Sequence, residues 1–180
     1  MKEFDRLVDI ISKLRGPGGC AWDREQDHDS LIPYLLEETY EVMENLINKD
    51  YASLQEELGD LLLQILLHAQ LEDEKQNFSI RDVIEAISDK LVRRHPHVFG
   101  DIQTQDSNVI RKNWEAIKQQ ERKEKNKPAR KSMLEGVPKS MPALSRAYKV
   151  QDKAARVGFQ WQDYRGALEK FHEELDELEQ

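Results

Sequence analysis

Apolar residues recur at helical spacing from the first turn of this chain. Phe4, Leu7, Val8, Ile11 and Leu14 fall three or four residues apart, which predicts a helix over 4–14. Gly16-Pro17-Gly18-Gly19 ends it and opens a loop through Cys20-Ala21-Trp22-Asp23 to about Ser30. Pro33 suits the first turn of a helix that starts near Leu31 and stops near Asn48. Ser53, with Glu56 three residues on, reads as a capping box for a helix over 54–74. Ser79 and Asp82 form a weaker cap for a helix over 80–94. Pro96 and Gly100 punctuate the loop that follows, and another helix is predicted from about Asn108 to Glu124. Helical spacing resumes over 143–155, breaks at Val157-Gly158-Phe159, and a final helix starts near Gly166. No segment reads convincingly as a strand, so the predicted class is all-α.

The pattern also suggests an internal repeat. Leu31–Leu46 carries Glu-Glu-Thr-Tyr-Glu behind an apolar turn, and Ala167–Gln180 carries Glu-Glu-Leu-Asp-Glu in a similar setting. A loop tryptophan precedes each, Trp22 and Trp161. Between them, residues 122–142 hold Lys123, Lys125, Lys127, Arg130 and Lys131 among Pro128, Gly136, Pro138 and Pro142, a basic linker. The expected organisation is a domain over 1–121, a linker over 122–142, and the start of a second, incomplete repeat over 143–180.

Composition narrows the class. Charged residues make up 34% and hydrophobic ones 38% of 180 residues, polar for a folded chain, yet the apolar groups cluster in periodic runs that build a core. A net charge of -8 argues against direct nucleic-acid binding, which needs a basic footprint. One cysteine, Cys20, permits no internal disulfide. The longest apolar stretch, Leu58–Leu71, is broken by Gly59, Asp60, Gln64, His68 and Gln70, too polar to span a bilayer. With no N-terminal signal pattern, the expectation is a cytoplasmic protein without a membrane partner.

The chemistry concentrates on two helices. Glu37, Glu38 and Glu41 sit on one and Glu57 and Asp60 on the next. Residues three or four apart share a helix face. The connection at about 49–53 is short, so the two helices should pack antiparallel, with Glu38/Glu41 facing Glu57/Asp60. A Glu-rich helix is by default a solvated face. Here Leu58, Leu61, Leu62, Leu63, Ile65, Leu66 and Leu67 surround Glu57 and Asp60, which predicts a buried helix whose carboxylates need satisfying. Gly59 between them would let another helix or a ligand approach. Converging carboxylates repel, and a hard divalent cation relieves that; Mg²⁺ fits, and Mn²⁺ is possible. Di-iron bundles use Glu-x-x-His pairs, and here the i+3 partners are Glu41 and Asp60.

A cationic cluster offers the complementary half. Lys90, Arg93 and Arg94 end the helix over 80–94, with Lys90 and Arg94 at i, i+4. Cations at a helix C-terminus can be simple caps. Beside a metal site they also supply the donors a triphosphate needs. His95 and His97 straddle Pro96 and are read as structural or hydrogen-bonding. Trp114 and Lys118 lie one turn apart on the next helix, where Trp114 fills core or stacks on a base.

These residues resemble the MazG family of all-α nucleoside triphosphate pyrophosphohydrolases. The matching stretches are GGCAWDREQDHDSL (18–31), LLEETYEVMENL (35–46), LQEELGDLLLQILLHAQ (54–70), DKLVRRHPHVFGD (89–101), NWEAIKQQE (113–121) and MPALSRAYKVQDKAARVGFQW (141–161), nearly the whole chain. The resemblance implies an antiparallel helical bundle that dimerises through its helices, and Mg²⁺-dependent hydrolysis of a nucleoside triphosphate at the α–β bridge to the monophosphate and pyrophosphate. It implies Glu38, Glu41, Glu57 and Asp60 as metal ligands, with Glu37 or Glu41 acting on the attacking water and Glu37 beside the nucleotide. It implies Lys90 and Arg94 as phosphate contacts and Trp114 near the base or phosphate end; Arg93 and Lys118 beside them are further nucleotide-binding candidates. Lys170, Glu173, Glu174 and Glu177 match an incomplete second site that lacks its Glu-x-x-Asp and Lys/Arg halves. That incompleteness keeps a non-catalytic nucleotide-binding or regulatory domain as the alternative. Two positions depart from the family pattern: Ala21, where Pro is usual, and Asp27, where Thr is usual.

Overall fold

A computed structural model describes residues 2–124, 132 and 134–179. Among these the chain is helical, with no strand. It divides by packing into Met1–Arg111 and Lys112–Gln180. The helices of the first unit are α1 (Lys2–Arg15), α2 (Ala21–Glu25), α3 (His28–Asn48), α4 (Leu54–Glu74), α5 (Ile80–Arg94) and α6 (Pro96–Phe99). α7 (Ser107–Glu124) spans the division, and α8 (Ala143–Ala155) and α9 (Tyr164–Leu178) belong to the second unit.

The predicted helices are all present; their ends show where side-chain chemistry overrides spacing. α3 starts three residues before Leu31, because Asp27 caps it: its carboxylate accepts from the Ser30 amide at 2.9 Å, and Ser30 Oγ lies 2.9 Å from the Asp27 amide that donates to it. Pro33 therefore stands inside the helix, past its first turn. The cap expected from Ser53 and Glu56 does not form. Asp50 organises that corner instead, accepting from the Ala52 and Ser53 amides at 3.2 Å and from Ser53 Oγ at 2.9 Å. The Ser79–Asp82 cap is present, with Asp82 accepting from the Ser79 amide and hydroxyl. The two loops around Ala21 and Pro96 contain the short helices α2 and α6.

Ala21 and Asp27 both stand at helix starts. Ala21 is the first residue of α2, the position where proline is most at home. Asp27 is an N-cap, a position that threonine and aspartate both serve. The loop between α1 and α2 folds tightly back: the Cys20 amide donates to Leu14 O at 2.8 Å, and a Cβ on Gly19 would sit 2.2 Å from that same oxygen. Arg15 then ties loop to bundle. Its side chain is 5% exposed, binds Glu74 with both Nε and Nη2, and donates to the carbonyls of Asp23 and Gln26.

The core joins Ile11 of α1, Leu31 of α3 and Leu66, Leu67 and Leu71 of α4, with Phe4, Leu7, Val8, Leu62, Leu63 and Ile80 against it. α4 touches α1, α3 and α5, and its contact with α3 is the most extensive. Full burial on α4 is confined to Gln64, Leu66, Leu67, Ala69 and Leu71, so the expectation of a helix buried on most sides holds only in part. Leu58 and Ile65 are exposed in the single chain, and no described atom other than its own helix backbone approaches within 4 Å of a Cβ built on Gly59.

In the second unit α8 and α9 carry no buried residue. The order of features repeats that of the first: helix, break, tryptophan, Asp-capped helix. Asp163 caps α9 by accepting from the Arg165 amide at 2.8 Å, and Trp161 packs so close to Gly166 that a Cβ there would meet its ring at 2.7 Å. Of the predicted linker, Lys123 extends α7. Lys125, Lys127, Pro128, Arg130 and Lys131 lie outside the described residues.

Candidate metal and nucleotide site

Helical spacing on α3 aligns Tyr34, Glu38, Glu41 and Asn45 on one face, and on α4 it aligns Glu57, Asp60, Gln64 and His68. Packing of α3 on α4 turns these faces toward each other. Carboxylate oxygens of Glu38, Glu41 and Glu57 come within 4.8 Å of one another, so three of the four predicted ligands converge. Asp60 stands outside that three-way set but inside its field: its charge acts on both Glu38 and Glu57. Glu37 is exposed on α3 and adds its charge to Glu38.

The cluster is electrostatically strained. The Glu38 carboxyl titrates above its ordinary value, first through burial, then through the charges of Asp60 and Glu41 and a hydrogen bond with Glu41. Glu57 is likewise raised, by burial and by the charges of Glu41 and Glu56, and the Asn45 side chain opposes this by hydrogen-bonding it. An all-oxygen donor set that holds protons too tightly for solvated carboxylates fits a hard divalent cation, whose charge replaces those protons. Asn45 did not stand out in the sequence, although its i+4 spacing from Glu41 places it on the ligand face.

Beyond the carboxylates the same seam carries a second polar group. His28 Nδ1 lies 2.8 Å from His68 Nδ1, the rings stack at 5.1 Å, and His28 Nε2 lies 2.7 Å from Glu72 Oε1. One proton arrangement satisfies all three: His68 Nδ1–H donates to His28 Nδ1, and His28 Nε2–H donates to Glu72. Glu72 also accepts from Lys75 and Asn77, and these bonds hold its pKa down to about 2. Burial lowers the pKa of His68.

Lys90 and Arg94 share a face near the C-terminus of α5, with Arg93 exposed beside them. α5 leaves α4 through the short turn Lys75–Ser79 and packs on it. His95 lies 2.6 Å from Leu91 O through Nδ1 and faces His97 at 5.7 Å, the hydrogen-bonding role expected of it. Trp114 and Lys118 belong to the second unit, where Lys118 Nζ stands 4.7 Å over the Trp114 ring and pairs with Glu115. On α9, Lys170 pairs with Glu173 at 2.7 Å and Glu174 at 3.2 Å, which raises its pKa. Glu177 is exposed on the same helix. Among the described residues only Glu38, Glu41 and Glu57 form a three-residue cluster able to hold a metal. No helix described is long and apolar enough to cross a membrane.

Comparison with known proteins places the same residues in context. Residues 26–99, which contain both carboxylate pairs and Lys90 to Arg94, match the family model described as the MazG nucleotide pyrophosphohydrolase domain. The chain is 45% identical over 179 residues to a nucleoside triphosphate pyrophosphohydrolase of Escherichia coli K12, covering 99% of this chain and 67% of that one. It is 47% identical over 177 residues to the nucleoside triphosphate pyrophosphohydrolase/pyrophosphatase MazG of Thermotoga maritima, covering 98% and 66%. A crystal structure of a mazG-related protein from Thermotoga maritima superposes with a TM-score of 0.55 at 28% identity, over 64% of this chain and 98% of that one.

Proposed function

The chain belongs to the MazG family, and from that premise we propose that it hydrolyses nucleoside triphosphates to the monophosphate and pyrophosphate at the α3/α4 seam. The observation that carries this reading is the convergence of Glu38, Glu41 and Glu57 within 4.8 Å, with Glu38 and Glu57 titrating high. Such a cluster is an unfavourable way to decorate a surface and a favourable way to hold a cation.

Glu38, Glu41, Glu57 and Asp60 would hold Mg²⁺, or Mn²⁺ in its place. When bound, the ion supplies Lewis-acid charge to phosphate oxygens and acidifies water. Glu37 or Glu41 orients the attacking water and takes its proton. Lys90, Arg93 and Arg94 neutralise charge on the leaving pyrophosphate. Two features support their part. The turn Lys75–Ser79 is short, and α5 packs on α4, so α5 returns along α4 toward the Glu57/Asp60 end. Attack at the α phosphorus breaks the α–β bridge.

The working form is a homodimer. α3 exposes an apolar stripe of Leu36, Tyr40, Met43 and Ile47, and α4 adds Leu58 and Ile65. These positions follow helical spacing on α3 and lie beside the carboxylate faces. A second copy covering them would bury the half of α4 that one chain leaves open. Light scattering on the purified protein should give twice the chain mass; a monomer at working concentration would refute this part.

The activity is tested by incubating the protein with a panel of nucleoside triphosphates and Mg²⁺ and identifying products. Monophosphate and pyrophosphate are expected. Diphosphate and orthophosphate would refute the bond position.

A further inference from the structure

Among the described residues of α3 and α4, Gln64 is the one buried polar side chain, and the reaction above does not use it. It sits at i+4 from Asp60 and i+7 from Glu57, on their face of α4. Two cross-helix contacts bracket it. Toward one end Glu57 meets Glu38 and Glu41, with carboxylate oxygens within 4.8 Å of one another; toward the other His28 meets His68 at 2.8 Å. Gln64 therefore lies between the carboxylates and the histidine pair, level with the part of α3 that carries Tyr34. It is 5% exposed, and its Oε1 has no hydrogen-bond partner among the described residues. A buried amide oxygen without a donor is costly unless something supplies one.

Tyr34 shares its face of α3 with Glu38 and Glu41, at i+4 and i+7. Trp22 meets it edge-on at 5.7 Å and 84°. Both residues are partly exposed, Trp22 at 48% and Tyr34 at 37%, which leaves aromatic surface open to solvent. Along the seam the carboxylates are thus followed by a buried acceptor on α4, with Tyr34 at the corresponding turn of α3. Helical rise separates Gln64 from Asp60 by about 6 Å and from Glu57 by about 10 Å, the scale on which a nucleotide separates its phosphates from its base.

We propose that Gln64 is a specificity-determining residue: its Oε1 accepts a hydrogen bond from an amino or ring N–H group of a nucleobase lying on the Tyr34–Trp22 shelf. This rests on the nucleotide reading above. A base that offers the donor is favoured over one that lacks it, because the wrong base leaves the oxygen unpaired.

Gln64→Leu and Gln64→Met remove the acceptor at similar volume. Each is assayed as kcat/KM on substrate pairs differing in that donor, ATP against purine riboside triphosphate and CTP against pyrimidin-2-one riboside triphosphate for an amino group, UTP against N3-methyl-UTP for a ring N–H, with inorganic triphosphate as the phosphate-end control. Both variants should fold with an unchanged or raised melting temperature. The wild-type ratio for the favoured pair should shrink about tenfold, one neutral hydrogen bond, while inorganic triphosphate is unaffected. Calorimetric binding of the matching monophosphates should lose the same discrimination, and this arm decides the question even if turnover is absent. Folded variants with unaltered base ratios overturn the proposal, as does an equal loss on every substrate including inorganic triphosphate. Wild-type protein that releases no pyrophosphate from any triphosphate refutes the enzymatic reading instead, and the two failures are distinguishable.

Discussion

His28 Nδ1 and His68 Nδ1 stand 2.8 Å apart and close the α3/α4 seam at the end away from the carboxylates. This contact makes the seam acid-sensitive. A shared proton holds the rings together; two protonated rings repel, and protonated His28 would also face the positive end of α3. His68 binds a proton less readily folded than unfolded, so its stabilising contribution is complete above the ordinary histidine range and declines as pH falls through its lowered folded pKa. Glu72, held at about 2, contributes stability that is present above the ordinary glutamate range and is lost as pH falls through about 2. Acid unfolding followed by circular dichroism should show both steps. His68→Gln should flatten the upper one and Glu72→Gln the lower one.

Glu38→Gln should separate stability from function. A carboxyl whose folded pKa is raised stabilises the fold at low pH and loses that contribution as pH rises through the folded value. The metal-free variant should therefore melt higher than wild type at pH 7 to 8 and equal it in mild acid. The same change removes one of the carboxylates proposed to hold the metal. Mg²⁺ should raise the wild-type melting temperature and leave the variant's unmoved. Turnover should fall by more than about 100-fold, the upper end for losing even an outer-shell partner.

Asn45→Ala tests the residue that holds Glu57. Asn45 lowers the Glu57 pKa, so without it Glu57 titrates higher still. Metal affinity, measured by calorimetry, should drop about 10- to 100-fold, with the fold retained. An unchanged affinity would mean that Glu57 needs no positioning.

Gly59→Ala tests what covers α4. In the single chain a Cβ there meets nothing within 4 Å beyond its own helix backbone. A mid-helix glycine costs about 0.5–1 kcal/mol against alanine, so the variant should be more stable by that amount in denaturant melts. Weakened dimerisation in sedimentation would instead place Gly59 against the second copy.

The helices and the carboxylate faces were legible because both are local. A turn of helix is set by backbone geometry, so i, i+3 and i+4 spacing alone aligns Glu38 with Glu41 and Glu57 with Asp60. Caps were less legible, because Asp27 and Asp50 compete with nearby serines for the same orphan amides, and three-dimensional reach decides between them. The buried-helix expectation for α4 failed at part of its surface for a different reason. Composition reports that Leu58 and Ile65 need covering but not what covers them.

By itself, then, the sequence determined the all-helical class, the helix faces, the carboxylate pairs and their family. Tertiary structure decided which faces meet and at what register. It set Asn45 on Glu57, His28 on His68, and Gln64 between them without a partner. The physical reason is range. Helical periodicity follows from bonds within one turn, whereas register across a seam follows from the packing of side chains distant in sequence, and a one-turn slip would pair different residues while leaving each helix unchanged.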